Sequence, residues 1–260
     1  MAANRKDFFE CAVLVTGAAS GIGRASAVAF AEAGAEAIAI VDVDEPGLTV
    51  TADLLRARGV DVKPIRADVA DPRDLTEAFA AARRSFGRLD IIHNNAGILS
   101  GEPAWPYTSI ERIAEVVNVN VCGTLMGTRL GIDALAGYGG AIVSTASVAG
   151  LAPMPADPIY AATKAAIISF TQSCQPLAKS HQIWVNAVLP GLVDSAMISK
   201  SGPDGAPAGW IRGFALTLEL LEPARVAAAV VELALDRSTS GQTVVLDNLP
   251  AAQCTEATVR

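Results

Sequence analysis

Residues 11–23 are CAVLVTGAASGIG, a short apolar run followed directly by a glycine-rich turn. The apolar residues 11–15 predict a buried β-strand. Gly17, Gly21 and Gly23 would allow a tight turn in which the backbone comes close to a pyrophosphate, facing the free N–H groups of the next helix. The spacing G-x-x-x-G-x-G differs from the common G-x-G-x-x-G, so an ordinary glycine-rich turn is the alternative. The position of the motif between the first strand and the first helix argues against that alternative.

The alternation of a strand and a helix continues along the chain. Short apolar runs predict strands at residues 11–15, 38–41, 60–65, 89–93, 141–145, 183–189 and 243–246. Longer amphipathic runs predict helices at residues 24–33, 45–58, 72–86, 159–178 and 222–235, and a long helical stretch between residues 110 and 135. Continuous apolar strands between helices are typical of a parallel sheet buried on both faces. The sequence therefore predicts an α/β fold, a single-domain Rossmann-type doubly wound sandwich with a seven-stranded parallel sheet over residues 1–260.

The composition excludes several classes of protein. Of the 260 residues, 51% are hydrophobic and 18% are charged, which argues against disorder. The net charge is −7 and there is no basic run, so neither nucleic acid nor an anionic membrane is an expected partner. The four cysteines are widely spaced, which favours thiols in a reducing compartment, and no metal-binding cluster is predicted. The first ten residues lack an apolar signal core and no apolar run reaches ~20 residues, so we expect a cytoplasmic protein.

Asp42 ends the second predicted strand, 19 residues after Gly23. A carboxylate at this position can accept hydrogen bonds from a ribose 2′-hydroxyl and would repel a 2′-phosphate, which favours NAD over NADP. No Arg or Lys is adjacent to it in the sequence. A solvated strand-end carboxylate is the alternative. Arg24, just after the third glycine, could meet a phosphate, but a surface position on the first helix is the preferred interpretation.

Only one of the three tyrosines, Tyr160, has a lysine four residues later, Lys164. Residues four apart share a face of a helix, so the Lys164 ammonium would lie near the phenol. A nearby cation would lower the pKa of the phenol from about 10 towards the range in which it can act as an acid and base. Ser147 follows the fifth strand, where ligands bind in this architecture, and could hydrogen-bond a substrate oxygen. Ser144 is its competitor, although it falls within the strand.

Together these motifs resemble the short-chain dehydrogenase/reductase family. The matching pieces, in chain order, are Thr16 to Gly23 (TGAASGIG), Asp42, Asp68-Val69, Asn94-Asn95-Ala96-Gly97, Asn120 with Gly123, Ser147, Tyr160-x-x-x-Lys164 and Pro190-Gly191. The resemblance spans roughly residues 11–247. It implies an oxidoreductase that moves a hydride between NAD(H) and an alcohol or ketone carbon.

The resemblance also implies roles for individual residues. Tyr160 would be the general acid/base, Ser147 would hold the substrate oxygen, and Lys164 would bind the nicotinamide ribose and tune the phenol. Asn120 would lie at a helix irregularity and anchor a water that relays protons to Lys164. Asn118 is its rival. The implied cofactor-binding residues are Gly17, Ser20, Gly21, Ile22, Gly23, Asp42, Asp68, Val69, Asn95, Ala96, Gly97, Tyr160, Lys164, Pro190, Gly191, Val193 and Ser195.

The chain departs from the family pattern at three places. Trp184 stands where an Arg is usual. Pro176 falls inside the predicted helix 159–178 and should kink it or end it early. The last strand ends in Leu246-Asp247-Asn248 without the usual glycine pair, which leaves the role of the chain's end, and of any subunit contact there, open.

The substrate is expected to be apolar. A substrate-binding loop is predicted at about residues 194–218, since an irregular stretch of that length is usually functional. Apolar candidates for the pocket are Met197, Ile198, Trp210, Ile211, Phe214, Leu99, Trp105, Leu151 and Met154, and the possible basic partners for a carboxylate are Lys200 and Arg212. Core or interface packing of the apolar residues is the alternative. Segments around Gly150 and Tyr160 and the helix before Asp133 are similar to the hydroxyprostaglandin dehydrogenase branch, which suggests an extended hydrophobic secondary alcohol or ketone.

Two other functions are compatible with these motifs. A catalytically silent NAD(H)-binding regulatory or interaction protein of the same fold would usually lack the Tyr or the Lys, and both are present. A nucleotide-sugar epimerase or dehydratase normally needs a larger substrate domain at the carboxyl end. The family resemblance further suggests a homotetramer or homodimer.

Overall fold

The part of the chain that the structure describes forms a sheet of seven strands, all of them parallel to their neighbours. They are β1 Ala12–Thr16, β2 Ala37–Asp42, β3 Asp61–Arg66, β4 Ile91–Asn94, β5 Gly140–Thr145, β6 Ile183–Pro190 and β7 Thr243–Leu246. Their order in the sheet is β3-β2-β1-β4-β5-β6-β7. The structure is a computed structural model that describes residues 11–199, 202, 206–209, 211 and 218–250. The predicted doubly wound α/β fold with a seven-stranded parallel sheet is confirmed.

Helices connect the strands and cover both faces of the sheet. They are α1 Gly21–Glu32, α2 Glu45–Arg56, α3 Pro72–Phe86, α4 Ile110–Val117, α5 Gly123–Ala134, α6 Pro158–Ser173, α7 Leu177–His181, α8 Ala196–Ser199 and α9 Pro223–Leu235. A π-helical turn, Asn118–Cys122, joins α4 to α5, and a short 3₁₀ turn, Val148–Gly150, follows β5. None of the helices in the described part of the chain is long and apolar enough to cross a membrane.

The alternation of side chains along β1 shows how the two layers of the core are built. Val13 and Val15 point to one face of the sheet, where they pack with α1, α2 and α9. Leu14 points to the other face, where α3 and α5 pack. All three side chains are completely buried. A central strand must therefore be apolar at every position, which is why the sequence shows continuous apolar runs instead of alternating ones.

Apart from shifts of one to three residues at the ends of α1, α2 and α9, the helices differ from the predicted ones at two places, both close to the candidate site. The predicted helix at residues 159–178 begins one residue earlier, at Pro158, and ends at Ser173. Pro176 precedes the separate short helix α7, as expected for a proline that has no N–H to donate and whose ring clashes with the preceding turn. The long helical stretch expected between residues 110 and 135 is interrupted by the π-helical turn, at the place where the family resemblance implies a helix irregularity around Asn120.

The sheet topology brings the carboxyl ends of β1, β4, β5 and β6 to one edge. From β1 the chain moves outward through β2 and β3, and then returns to place β4 on the other side of β1. This reversal is the topological switch point at which ligands bind in open α/β sheets. The segments that follow these four strands contain most of the residues with predicted roles.

Candidate active site

The turn between β1 and α1 has a backbone that only glycine can adopt. Gly17 has φ +65°, and a Cβ there would lie 2.8 Å from the Cα of Ala96. A Cβ on Gly23 would overlap the carbonyl group of Gly17. Ser20, at the N-cap of α1, makes no side-chain capping bond in the structure, so the first N–H groups of α1 remain available to an anion. This cradle fits a pyrophosphate.

The segment after β4 is hydrogen-bonded to the end of β1. The backbone N–H groups of Asn95 and Ala96 both donate to Oγ1 of Thr16, at 3.0 and 3.1 Å. The side-chain amide of Asn95 donates to the carbonyl oxygens of Thr16 and Gly17. The predicted residues Asn95 and Ala96 therefore also shape the glycine-rich turn.

The residues predicted to contact the adenosine half lie after β2 and β3. One carboxylate oxygen of Asp42 accepts the N–H of Ala19 at 2.9 Å, and the other accepts the N–H of Asp44. Asp68 is exposed. Val69 is buried, and a Cβ on Gly123 would lie 2.9 Å from its methyl group, which explains the glycine at the start of α5.

Two arginines lie near the end of β2, and the sequence drew attention to only one of them, Arg24. Arg24 is not a solvated surface residue, since its guanidinium donates to Oγ1 of Thr51 and to the carbonyl oxygens of Ala19 and Gly47. It thereby holds the glycine-rich turn against α2. Arg66 pairs in register with Asp42 across β2 and β3 and is exposed. Sequence inspection missed it because the two residues are far apart along the chain.

Ser147, Tyr160 and Lys164 converge beside the end of β5. The hydroxyl of Ser147 lies near enough to the phenol of Tyr160 to act on its pKa. The Lys164 ammonium lies 5.4 Å from the centroid of the Tyr160 ring and donates to the carbonyl oxygen of Thr145 at 2.8 Å. All three side chains are at least nine-tenths buried. The competitor Ser144 lies within β5 and is completely buried between strands.

Burial dominates the electrostatics of this group. The pKa of Tyr160 is raised to about 12, first by desolvation and then by the negative charge of Asp157, while the hydrogen bond to Ser147 acts in the opposite direction. The pKa of Lys164 is lowered from 10.5 to about 8 by desolvation. The expectation that Lys164 lowers the pKa of the phenol is therefore wrong for the structure as described. Desolvation raises the pKa of Tyr160 by more than the Lys164 ammonium can lower it, because that ammonium donates its hydrogen bond to a backbone carbonyl group.

Asn120 lies in the π-helical turn, and its side chain turns inward. Its amide accepts the N–H of Ile98 at 2.8 Å and donates to the carbonyl oxygen of Ile98 and to Oγ1 of Thr163. A Cβ on Gly97 would lie 3.3 Å from Oδ1 of Asn120 and 3.4 Å from Nζ of Lys164. The side chains of Asn120 and Lys164 therefore border the same space, next to Gly97. The rival Asn118 is exposed.

Thr145 links the lysine to the glycine-rich turn. Its hydroxyl donates to Oδ1 of Asn95 at 3.1 Å, and Nε2 of His93 lies 3.0 Å from the same hydroxyl. The amide of Asn95 can face only one way, because its nitrogen donates to two carbonyl groups. Thr145 must therefore donate to Asn95, and His93 must donate to Thr145. Burial lowers the pKa of His93 to about 3, so the ring is neutral and this arrangement does not change at ordinary pH.

Comparisons with known proteins agree with this geometry. A family profile described as short chain dehydrogenase matches residues 11–205. The chain belongs to the short chain dehydrogenase family. It is similar to 15-hydroxyprostaglandin dehydrogenase [NAD(+)] of Macaca fascicularis, with 37% identity over 195 residues, which is 72% of this chain and 70% of that protein. The resemblance identified from the motifs is thus confirmed.

Two solved structures superpose over nearly the whole chain. Levodione reductase matches with a TM-score of 0.84 and 28% identity, covering 92% of this chain and 97% of that one. A short chain dehydrogenase from Burkholderia cenocepacia in complex with NADP matches with a TM-score of 0.83 and 31% identity, covering 93% and 98%. Membership of this family makes the chain an oxidoreductase.

One wall of the site is apolar and contains some of the predicted pocket residues. Leu99 packs in a buried cluster with Tyr160, Ala208 and Ile211, and Ile198 packs against that cluster. Met197 exposes 37% of its surface. Lys200, Trp210, Arg212 and Phe214 lie outside the described residues.

Three other pocket candidates do not join the apolar cluster. Trp105 is half exposed and lines a separate groove between α4 and a different face of α6, which favours the alternative of interface packing for this residue. Leu151 exposes 56% of its surface, and Met154 is half-buried outside the cluster. Spacing along the chain places these residues near the site but does not determine which way they face.

Asp157 is a residue of the site that the sequence prediction missed. It caps α6 by accepting the N–H of Tyr160 at 3.0 Å, and it also accepts the N–H and the hydroxyl of Ser100. The Arg112 guanidinium donates hydrogen bonds to the carbonyl oxygens of Leu99 and Ser100. The catalytic helix and the apolar wall are therefore fixed to each other. The dipeptide Asp157-Pro158, an N-cap residue followed by proline, is the signal that could have revealed this cap.

The loop after β6 closes the other side of the site. The hydroxyl of Ser147 donates to the carbonyl oxygen of Pro190 at 3.2 Å. Val193 is buried and forms an isolated parallel bridge with Leu221. A Cβ on Gly21 would lie 3.2 Å from the Cβ of Ser195, so this loop faces the glycine-rich turn. Among the described residues no cluster of His, Cys, Asp or Glu could hold a metal ion.

Proposed function

We propose that this chain transfers a hydride between NAD(H) and a hydrophobic secondary alcohol or ketone, with Tyr160 as the general acid and base. The observation that carries the proposal is the buried convergence of Ser147, Tyr160 and Lys164 at the sheet edge where the glycine-rich turn opens. The nicotinamide would supply or remove the hydride. The chain's own residues would move the proton and hold the substrate oxygen.

In the reductive direction, the Tyr160 phenol would protonate the carbonyl oxygen as the hydride reaches the carbonyl carbon. Ser147 would hydrogen-bond that oxygen and stabilise its developing negative charge. Lys164 would bind the nicotinamide ribose, and its positive charge would offset part of the cost of the buried phenolate, while burial keeps the net pKa of the phenol raised. In the oxidative direction, the phenolate would take the proton of the alcohol, and Asn120 would anchor the relay that returns it to solvent.

The other predicted cofactor contacts keep their proposed roles. The glycine-rich turn would bind the pyrophosphate, Asp42 and Asp68 would bind the adenosine half, and the segments 95–97 and 190–195 would surround the nicotinamide half. The substrate would lie against Leu99 and the loop at residues 194–218. The NAD(+)-dependent relative supports the choice of cofactor, and the apolar wall beside Tyr160 supports the substrate class. For the location of the protein we propose the cytoplasm.

Asp42 and Arg66 make cofactor choice testable. In a screen of secondary alcohols of graded chain length and ring size, kcat/KM with NAD should exceed that with NADP by roughly tenfold or more, because the Asp42 carboxylate would repel a 2′-phosphate. Asp42→Ala should reduce this preference, since Arg66 would then face the phosphate without a carboxylate beside it. Asp53→Ala, which removes an exposed carboxylate from α2, is the matched control. Equal use of NADP by the unmodified protein would contradict the proposal.

An apolar groove between α4 and α6 supports a homo-oligomer, a dimer or a tetramer. The groove has a volume of about 550 Å³ and is lined by Trp105, Ile113, Val117, Val121, Pro158, Ile159, Ala162 and Thr163. Ile110, at the start of α4, exposes 80% of its surface. We expect Val117→Asp to shift the mass measured by light scattering towards the monomer, and Val50→Asp on α2 to leave it unchanged. A Val117→Asp protein that retained its oligomeric mass, or an unmodified protein that was monomeric, would contradict this assignment.

A further inference from the structure

Asn248 stands just after β7, where the chain lacks the glycine pair usual in its family. Its side-chain oxygen accepts the N–H of Leu192 at 2.7 Å. Its side-chain nitrogen donates to the carbonyl oxygen of Leu192 at 2.7 Å and to that of Glu219 at 2.9 Å. One half-buried amide therefore satisfies three backbone groups that belong to two distant segments.

These bonds continue the pairing of β6 with β7 beyond the end of the sheet. The last backbone pair of the two strands is Pro190 with Leu246, and the N–H of Gly191 still donates to the carbonyl oxygen of Leu246. At the next residue the amide of Asn248 replaces the backbone, because a primary amide offers both the donor and the acceptor that the Leu192 backbone needs. A Cβ on Gly191 would overlap Oδ1 of Asn248, so the glycine is required for this close approach.

The opposite side of the same loop is held by the segment that leads into α9. The N–H of Leu221 donates to the carbonyl oxygen of Leu192, and the N–H of Asp194 donates to that of Leu221. Glu219, whose carbonyl oxygen Asn248 binds, also donates its N–H to the carbonyl oxygen of Leu249. Residues 191–194 are therefore held between the segment that follows β7 and the segment 219–221, and Asn248, which belongs to the first, is also bonded to the second.

The segment held in this way lies next to the reacting groups. Pro190, just before residues 191–194, accepts a hydrogen bond from the Ser147 hydroxyl at its carbonyl oxygen. Ser195, just after them, faces Gly21. Val193, one residue after the peptide that Asn248 binds, is buried. A displacement of Leu192 would move the backbone of Val193 relative to Ser147 while leaving the glycine-rich turn and Asp42 in place.

We propose that Asn248 is a positioning residue for the nicotinamide end of the cofactor, because it fixes the Leu192–Val193 backbone on which that end would rest. The proposal rests on the proposed function, since it requires a dinucleotide in this site. It assigns to the carboxyl end of the chain a role in the half of the site where hydride transfer takes place. The adenosine half, at the ends of β2 and β3, is independent of Asn248.

The test compares NADH with ADP-ribose, a ligand that keeps the pyrophosphate and adenosine but lacks the nicotinamide. For Asn248→Ala, the dissociation constant of NADH should rise roughly tenfold, as expected for the loss of several hydrogen bonds that hold its binding surface. The dissociation constant of ADP-ribose should stay within about twofold. Asn248→Asp should change the two constants in the same selective way, because it keeps the acceptor for Leu192 but places a carboxylate oxygen against two carbonyl groups.

Leu249→Ala is the matched control, because Leu249 is exposed and its contact with Glu219 is made by the backbone. Unchanged NADH affinity in both Asn248 variants, or equal weakening of NADH and ADP-ribose, would overturn the positioning role while leaving the proposed function intact. An unmodified protein that bound neither ligand would overturn both. Using two variants, and the ratio of two affinities in each, separates a local displacement from a general loss of folding.

Discussion

Tyr160→Phe should lower kcat by roughly 100- to 10,000-fold, the usual contribution of a positioned acid or base. The variant removes only the phenolic oxygen, and the ring can keep its packing against Leu99 and Ile211. The affinity for NADH should therefore change little. Since the pKa of the phenol is raised to about 12, the phenol is protonated at neutral pH. We expect the rate of alcohol oxidation by the unmodified protein to rise as the pH increases towards the alkaline range.

The matched control for this variant is Tyr138→Phe, which removes the same atom from a side chain that is 67% exposed and outside the site. Steady-state turnover with the best alcohol found in the screen, together with fluorescence titration of NADH, would measure both quantities. A Tyr160→Phe protein that kept nearly full turnover would show that the proton is transferred by another group.

Lys164→Met should also lower kcat by roughly 100-fold or more, while changing stability in a characteristic way with pH. The pKa of Lys164 in the folded protein is about 8, well below its ordinary 10.5. Between these two values the unfolded chain binds more protons than the folded one, so the free energy of unfolding rises with pH. Below about pH 8 both states carry the charge, and its burial is a constant cost. The methionine variant should lack the rise between about pH 8 and 10.

Denaturant unfolding at several pH values measures this difference directly. Subtracting the curve of the variant from that of the unmodified protein cancels the titration of groups away from Lys164, such as Cys174, and the comparison is read below about pH 10, where Tyr160 stays protonated in the folded protein. Lys179→Met, which changes an exposed lysine on α7, should follow the unmodified protein. Identical pH slopes for Lys164→Met and Lys179→Met would mean that Lys164 is hydrated in solution and its pKa is ordinary.

The sequence predicted the fold well because the signals that determine it are local. The apolar run before Gly17 marks a central strand, and Pro176 ends α6 by an effect that depends only on its own ring. Tyr160 and Lys164 could be paired because a helix brings residues four apart together. Each of these inferences needs only the geometry of one element.

The remaining features depend on contacts between distant segments, which periodicity does not reveal. The pKa of Tyr160 moved upward because burial, set by the whole fold, outweighed the nearby cation. Trp105 was assigned to the substrate pocket, but the path of the chain between β4 and α4 places it on another face. Arg66 stands opposite Asp42 in the register of β2 and β3. The departure at Asn248 was visible in the sequence, but its three hydrogen bonds could be seen only once the loops were placed.

A crystal structure of the protein with NADH tests the central claim most directly. We predict that the pyrophosphate lies at the glycine-rich turn and that the nicotinamide ring lies between the Ser147–Tyr160 pair and residues 191–193. The reacting carbon of the ring should leave room for a substrate carbon about 3–4 Å away, with its oxygen within reach of both hydroxyls. A dinucleotide bound elsewhere, or a nicotinamide ring turned away from Tyr160, would contradict the account.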